Sequence, residues 1–258
     1  MASEAPSLEC RDLHKSFPGP DGTSAPVIGG LSFKVKPGEF VSVLGPSGAG
    51  KTTLLRCITG LDRVDSGEVL LGGAVTHGVA AETAVVFQDY SKSLFPWLNL
   101  ERNVMFGLKC ASKREARDRA RTALGRVGLD GYEDHYPWQI SGGMQQRTAI
   151  ARALAREASM VVFDEPFAAI DALTRIQQED GLLDLWAEFG FTALFVTHDV
   201  DEAVYLSDRL VVLGPRPTYV AREVVIDLPR PRDQVATRSL PAFSEYRAIA
   251  LETLGVAH

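Results

Sequence analysis

The sequence predicts an α/β fold: a mainly parallel sheet, an N-terminal antiparallel β part and a helical insert. Three observations carry that prediction. "MVVFDE" and "TALFVTH" are short and apolar up to their polar ends, as strands covered on both faces are, and "FVSVLG" is a strand running into a glycine-rich loop. Helical patterns, "TTLLRCITG" and "ALTRIQQEDGLLDLWAEFG", alternate with them. From about 99 to 157 the strand pattern gives way to a helical one.

In chain order, "LSFKV" alternates Leu31, Phe33 and Val35, "PGE" makes a turn, and "FVSVLG" runs into a glycine-rich loop. Residues 18–26, "PGPDGTSAP", read as a Pro/Gly loop. "GEVLLGG" is a short strand with a turn, and "AVVFQ" is a buried strand. Asn99 is placed to cap "LERNVMFGL". Ser112 and Glu115 have capping-box spacing for "KREARDRARTALGRVG", and Gly128 stops it. Ala116, Ala120, Ala123, Leu124 and Val127 share one face of that helix, and the charges between them form a solvated face. Leu173, Ile176, Leu183 and Trp186 have helical spacing further on, with Trp186 read as core. The last stretch gives one strand, a Pro-rich turn and an amphipathic helix carrying Phe243, Tyr246, Ile249 and Leu254, with no chemistry visible.

The 258 residues suffice for one large domain or two small lobes. Hydrophobic residues make 45% and charged residues 23%, an ordinary globular balance. The net charge of -6 argues against a general electrostatic nucleic-acid binder. No apolar run approaches the ~20 residues that span a bilayer. The N-terminus lacks the basic start and apolar core of a secretion signal. Cys10, Cys57 and Cys110 are scattered without metal spacing, as free thiols in a reducing cytoplasm are.

"GPSGAGKT" matches G-x-x-x-x-G-K-[ST] between a strand and a helix. Its backbone N–H groups must turn inward around phosphate oxygens, and Gly45, Gly48 and Gly50 permit that bend. Lys51 reaches the β and γ phosphates, the Thr52 hydroxyl holds Mg²⁺, and Thr53 adds a hydroxyl. Asp164 and Glu165 end a buried strand, which is costly without a compensating ion. Asp164 is placed to support Mg²⁺ and Glu165 to polarise an attacking water. "ISGGMQQR" opens a second helix with Ser141 and two glycines, an anion-binding nose. A helix start that merely caps itself is the competing reading.

"GPSGAGKTT", "VVFQD", "ISGGMQQR", "MVVFDEPFAAID" and "LFVTHD" occur in this order. Together they resemble the ATP-binding subunit of an ABC transporter, from about Leu8 to the end. The finer resemblance is to importers of the nitrate/sulfonate/taurine type, through "SLFPWLN", "DEPF" and "DLPRPR". The resemblance implies one ABC ATPase domain over 1–258 with a P-loop NTPase core. That core covers about 7–88 and 159–214, the helical subdomain about 89–158, and a C-terminal extension about 215–258. It implies ATP on Gly45, Pro46, Ser47, Gly48, Ala49, Gly50, Lys51, Thr52 and Thr53, with Phe17 stacking on adenine. Catalysis would fall to Glu165, His198 and Gln88, and Mg²⁺ to Thr52, Gln88 and Asp164.

In such proteins two subunits pack head to tail. Ser141, Gly142, Gly143 and Met144 would then cap the ATP on the partner's P-loop, and Asp171 would line the interface. The implied partners are a second ATP-binding subunit, most simply an identical one, a transmembrane permease dimer and, indirectly, a solute-binding protein. No nucleic acid is implied. The place would be the cytoplasmic face of the membrane, peripherally bound. Within 89–108, Tyr90, Leu94, Phe95, Trp97 and Phe106 would form a groove for a permease helix, against the plainer reading of core packing.

Several positions depart from the family pattern: Ile140 for Leu, Met144 for Gln, "AAID" for "SALD", and Phe17 for Tyr. All preserve shape, and Lys51, Gln88, Glu165 and His198 are intact, which predicts a competent ATPase. A repair- or translation-type ABC ATPase would carry coiled-coil insertions, zinc motifs or two fused ATPase domains, none of which is present. A metabolite phosphotransferase leaves "SGGMQQR" unexplained.

Overall fold

The structure, a computed structural model, describes residues 5–19, 23–80, 82–87, 93–168 and 170–255. Gln88 and Tyr90 lie outside the described residues.

Two sheets organise the chain. β1 (Leu8–Pro18), β2 (Ser24–Val35), β4 (Ser66–Leu71) and β5 (Ala74–Val75) form an antiparallel sheet in the order β2-β1-β4-β5. β3 (Phe40–Leu44), β6 (Thr83–Val86), β7 (Met160–Asp164), β8 (Thr192–Thr197), β9 (Arg209–Leu213) and β10 (Val220–Val225) form the second, in the order β10-β9-β3-β8-β7-β6. Every pairing in the second sheet is parallel except that of β10 with β9.

The period-2 alternation of strand side chains splits the interior into two cores. Phe40, Leu44, Phe163, Phe195 and Val212 point into the core beneath the long helices. Val41, Val43, Val162, Leu194 and Val211 point the other way, against the antiparallel sheet and α1 (Lys51–Ile58). That is why these strands are apolar without alternation: both faces are covered.

α2 (Leu100–Met105), α3 (Lys113–Arg126) and α4 (Gly142–Ala155) pack on one another, and α4 also lies against β6. Asn99 caps α2 by accepting from the Arg102 N–H at 3.0 Å. Ser112 caps α3 by accepting from Glu115 N–H at 3.1 Å, but the Glu115 carboxylate accepts from Ala111 N–H, one residue short of a reciprocal box. Gly128 follows α3 with φ +72°, a conformation that suits glycine. Ala116, Ala120, Ala123, Leu124 and Val127 are buried together as their spacing implies.

α5 (Ala172–Phe189), α6 (Val200–Leu206) and α7 (Pro241–Thr253) complete the helices with described bounds. Trp186 packs edge-on to Phe40 at 5.8 Å. Phe243 is buried, and Tyr246, Ile249 and Leu254 pack partly buried on the same core. Cys10 and Cys57 are buried and Cys110 half-buried, all as free thiols.

Some expectations need correction. The 18–26 loop is shorter than the Pro/Gly content suggests: Pro18 already pairs with Ser24, and Phe17 with Ala25. Pro26 is tolerated there because β2 is an edge strand. Leu173 and Ile176, which share helical spacing with Trp186, are 75% and 39% exposed. Leu94 is buried at 2% and so is not part of an exposed surface.

Asn103 organises the segment ahead of α2. It is fully buried, its amide donates to the carbonyls of Phe95, Leu98 and Asn99, and its oxygen accepts from Phe95 N–H at 2.7 Å. Asn103→Ala removes the side-chain bonds to these half-buried backbone groups and leaves the Phe95 N–H and the Leu98 carbonyl without those partners. It should lower unfolding free energy by about 2–4 kcal/mol, read as a lower denaturant midpoint at unchanged slope.

Candidate active site

The carboxyl ends of adjacent parallel strands are where an α/β sheet builds its sites. Here β8 lies between β3 and β7, so the loops after the three strands converge. Leu44 and Thr197 are in register, as are Asp164 and Val196.

The loop after β3 passes directly into α1. Gly50, its N-cap residue, has φ +87°, and a Cβ there would sit 2.8 Å from Val27 Cγ1. No side chain caps α1, so its first N–H groups face outward as an anion-binding cradle. From behind, the buried Thr218 hydroxyl donates to the Ala49 carbonyl. Thr52 is exposed and Thr53 half-buried at this helix start.

Lys51 is only 6% exposed. Its Nζ donates to the Gly45 carbonyl at 2.8 Å and the Pro46 carbonyl at 3.2 Å, and lies 3.2 Å from Glu165 Oε1. Glu165 Oε2 is 3.0 Å from His198 Nδ1. One carboxylate therefore bridges the loop lysine and the histidine that follows β8. Glu165 holds φ +44°, an uncommon conformation for a side-chain-bearing residue. Its N–H donates to the Val196 carbonyl at 2.8 Å, which fixes that turn to β8. Asp164 lies beside it, half-buried. Burial first, and the neighbouring Glu165 charge second, push its carboxyl above the usual range, against the pull of Lys51.

Phe17 is 40% exposed at the end of the β1–β2 hairpin, with Lys15 Nζ 5.3 Å from its ring centre. Its partner Ala25 lies two residues before Val27, whose side chain touches the Gly50 position, so the hairpin end lies near the loop along the chain.

The second nose is elsewhere. Ser141 caps α4 by accepting from Met144 N–H at 3.3 Å, leaving Gly142 and Gly143 in the first turn without intrahelical acceptors. Ser141, Gly142, Gly143 and Met144 line a cavity of about 640 Å³ shared with Asp171 and Thr174. None of the described loop residues 45–53, nor Asp164, Glu165 or His198, lines it. Asp171 caps α5, accepting from the N–H groups of Leu173 and Thr174. Hydrogen bonds from Thr174, chiefly its side chain, hold the Asp171 carboxyl below its ordinary range.

Two features escaped the sequence reading. Tyr136 and Trp138 stack at 5.9 Å, and Trp138 is 71% exposed. Residues 133 and 135 accept from the N–H groups of Glu101 and Leu100, which brings this pair to the loop of Phe95 and Trp97. A three-residue "YPW" stretch has no periodicity to mark it. The other is the ion pair of Arg175 with Asp199, whose Nη1–Oδ2 distance is 3.2 Å, joining segments far apart in sequence.

Among the described residues no helix is long and apolar enough to cross a membrane. The ABC transporter family profile matches residues 28–168. The chain is 48% identical to an uncharacterized ABC transporter ATP-binding protein of Methanocaldococcus jannaschii, over 96% of this chain and 91% of that one. It is 46% identical to an aliphatic sulfonates import ATP-binding protein of Xanthomonas axonopodis pv. citri, over 81% and 84% of the two chains. A nitrate import ATP-binding protein of Synechocystis sp. is 41% identical over 93% and 91%. Among solved structures, a dimeric ATP-binding cassette in a post-hydrolysis state, bound to ADP and Pi, superposes with a TM-score of 0.69. It is 30% identical over 85% of this chain and 98% of that one. Five ordered motifs, a phosphate loop and an acid pair at converging strand ends, and relatives aligned over most of their length lead to one conclusion: the chain belongs to the ABC transporter family, as an ATP-binding ATPase subunit.

Proposed function

We propose that this subunit energises a membrane permease importing small anions of the nitrate, sulfonate or taurine class, through ATP-driven closure of a head-to-tail dimer. The observation that carries the reading is the separation of the two noses. Lys51 and His198 both touch Glu165, while Ser141 to Met144 line a cavity apart from them with Asp171. A signature that does not serve its own loop has work to do on a partner's. The exposed Leu173 beside Asp171 supports an apolar contact at the same seam. The anion class rests on the sulfonate and nitrate importers among the relatives.

In this reading Lys51 exchanges the Gly45 and Pro46 carbonyls and Glu165 for β- and γ-phosphate oxygens. Glu165, released, orients a water in line with the γ-phosphorus and takes its proton as the bond to the β-phosphate oxygen breaks. His198, engaged through Nδ1, keeps Nε2 for a γ-phosphate oxygen. The exposed Thr52 hydroxyl and the half-buried Asp164, whose carboxylate makes no ion pair within hydrogen-bond reach among the described residues, give an all-oxygen set that fits Mg²⁺, together with Gln88. When bound, the ion neutralises charge on the transferring phosphate. The partner's signature closes the other side, so the γ-phosphate is held from two directions only in the dimer.

Trp97 and Phe106, grouped around Phe95, and the stacked Tyr136 and Trp138 are exposed aromatics on the helical part, suited to a short permease helix. The subunit then sits peripherally on the cytoplasmic face of the membrane. Dimer closure moves the two permease halves together, with a solute-binding protein engaging the permease and not this chain.

Glu165→Gln should retain ATP binding while lowering turnover at least about 100-fold, and should trap an ATP-bound dimer on size exclusion; undiminished phosphate release refutes the base assignment. A tandem-linked dimer tests the geometry. With Lys51→Ala in one half and Ser141→Arg in the other, one composite site stays intact and hydrolyses ATP in a single-turnover assay. With both changes in the same half, neither site works. The reverse pattern means that each signature serves its own loop. Trp97→Glu combined with Trp138→Glu should abolish copurification with the permease in detergent, with ATP affinity of the isolated subunit as the control. Retained copurification moves the docking surface elsewhere.

A further inference from the structure

Behind His198 lies a network that the hydrolysis reading does not use. Arg175 stands one turn after Asp171 in α5, its N–H donating to the Asp171 carbonyl at 2.9 Å. Its guanidinium reaches across to the segment after β8: Nη1 donates to Asp199 Oδ2 at 3.2 Å, and Nε lies 3.6 Å from Glu202 Oε1. Glu202 is 4% exposed and its other oxygen accepts from the Thr197 hydroxyl at 2.8 Å. That hydroxyl in turn accepts from Asp199 N–H at 3.0 Å. Asp199 Oδ1 caps α6 through the N–H groups of Asp201 and Glu202. Both neighbours of His198 in the chain are thus pinned, and both pins lead to Arg175.

We propose that Arg175 is a positioning residue for the ATPase reaction, tying the first turn of α5 to Asp199 and Glu202 and so fixing the main chain that presents His198. The inference rests on the reading of His198 as a γ-phosphate contact. Its chemistry is that of a planar, always-charged fork spanning two carboxylates. Burial, chiefly, pushes Glu202 up to about 7, with Asp199 and Glu179 adding to the rise and the Thr197 hydroxyl and Arg175 opposing it. Arg175 is the cation closest to that carboxylate among the ion pairs of the described residues. The arrangement has a consequence for the dimer. Asp171 and Arg175 share one helical turn, so a displacement of Asp171 at a partner interface reaches His198 through a single side chain, without passing through the nucleotide.

The test compares Arg175→Met, Arg175→Lys, Asp199→Asn and the Arg175→Met/Asp199→Asn pair in the full chain, with His198→Ala alongside. Asp199→Asn keeps a capping oxygen but weakens the ion pair. Arg175→Met should lower kcat at least about tenfold while KM for ATP changes less than about twofold. Arg175→Lys should recover much of the loss. The double variant should be no worse than the poorer single, because both remove one interaction. The imidazole ¹⁵N resonances of His198 should shift in Arg175→Met while those of His14 and His135 stay. A purely structural Arg175 lowers the melting temperature but leaves kcat per folded molecule and the His198 resonances in place, and that result overturns the inference. If Arg175→Met does not fold, Asp199→Asn decides by the same two readouts. If His198→Ala turns over at the parental rate, the reading of His198 itself fails and takes this inference with it. If His198→Ala is inactive and Arg175→Met is not impaired, only the inference fails.

Discussion

Lys51 carries a full positive charge at 6% exposure, and the rest of the site is arranged around that constraint. An ammonium is tolerated so far from water only where oxygens surround it. Two loop carbonyls and the Glu165 carboxylate supply them. The same requirement fixes the neighbours. Glu165 must turn back toward Lys51, which it does at φ +44° with its N–H tied to β8. His198 then completes the carboxylate's other side. A phosphate is a better anion for that lysine than a carboxylate shared with a histidine, because the α1 N–H groups also point at it. The arrangement suits the exchange proposed above: one oxygen set holds the lysine until another displaces it, and the glutamate so displaced is the group proposed as the base.

Separation of the signature from this cluster follows from the fold. The phosphate loop, Asp164 and His198 come from strands β3, β7 and β8, which are hydrogen-bonded neighbours. Ser141 comes from α4, which belongs to the helices packed beside β6 at the sheet's other edge. No bend of the described backbone has to bring the two together if a second copy supplies the missing wall. The proposed dimer would then follow from where the helices sit on the sheet.

How much of this was legible in the sequence depends on whether residue type or spatial contact carries the information. The glycine-rich loop was legible because Gly50 sits at positive φ with no room for a Cβ against Val27, which restricts it to glycine. Helix caps were legible at Asn99, Ser112 and Ser141, since their hydrogen bonds are local in sequence. The helical spacing of Leu173 and Ile176 was legible, but their exposure was not, because spacing identifies a face without saying whether a core lies under it at that end. Glu165's backbone conformation left no mark, since glutamate has no preference for positive φ. Arg175 with Asp199, and Thr218 behind the phosphate loop, join residues 24 and 169 positions apart. Such contacts are decided by the sheet order, which no local pattern encodes.

The C-terminal stretch shows the same limit and closes the argument about His198. Read alone, "DLPRPR" is a Pro-rich turn with charges. In the fold, the Arg232 guanidinium donates to the carbonyls of Val204, Tyr205 and Ser207, where α6 ends. A cation is favourable at that negative end of the helix. Arg230 lies 4.3 Å over the Trp186 ring and pairs with Asp208. Arg238 pairs with the buried Glu179 on α5, and Gln234 donates to Glu179 and Asp180. α6, the short helix that starts directly after His198, is therefore held at its start by Asp199 and Arg175 and at its end by Arg232. Seven residues with only two turns of hydrogen bonds are weak as an isolated helix. Anchoring from both ends makes the histidine's mounting stiff, and the extension that looked free of chemistry provides half of that anchoring.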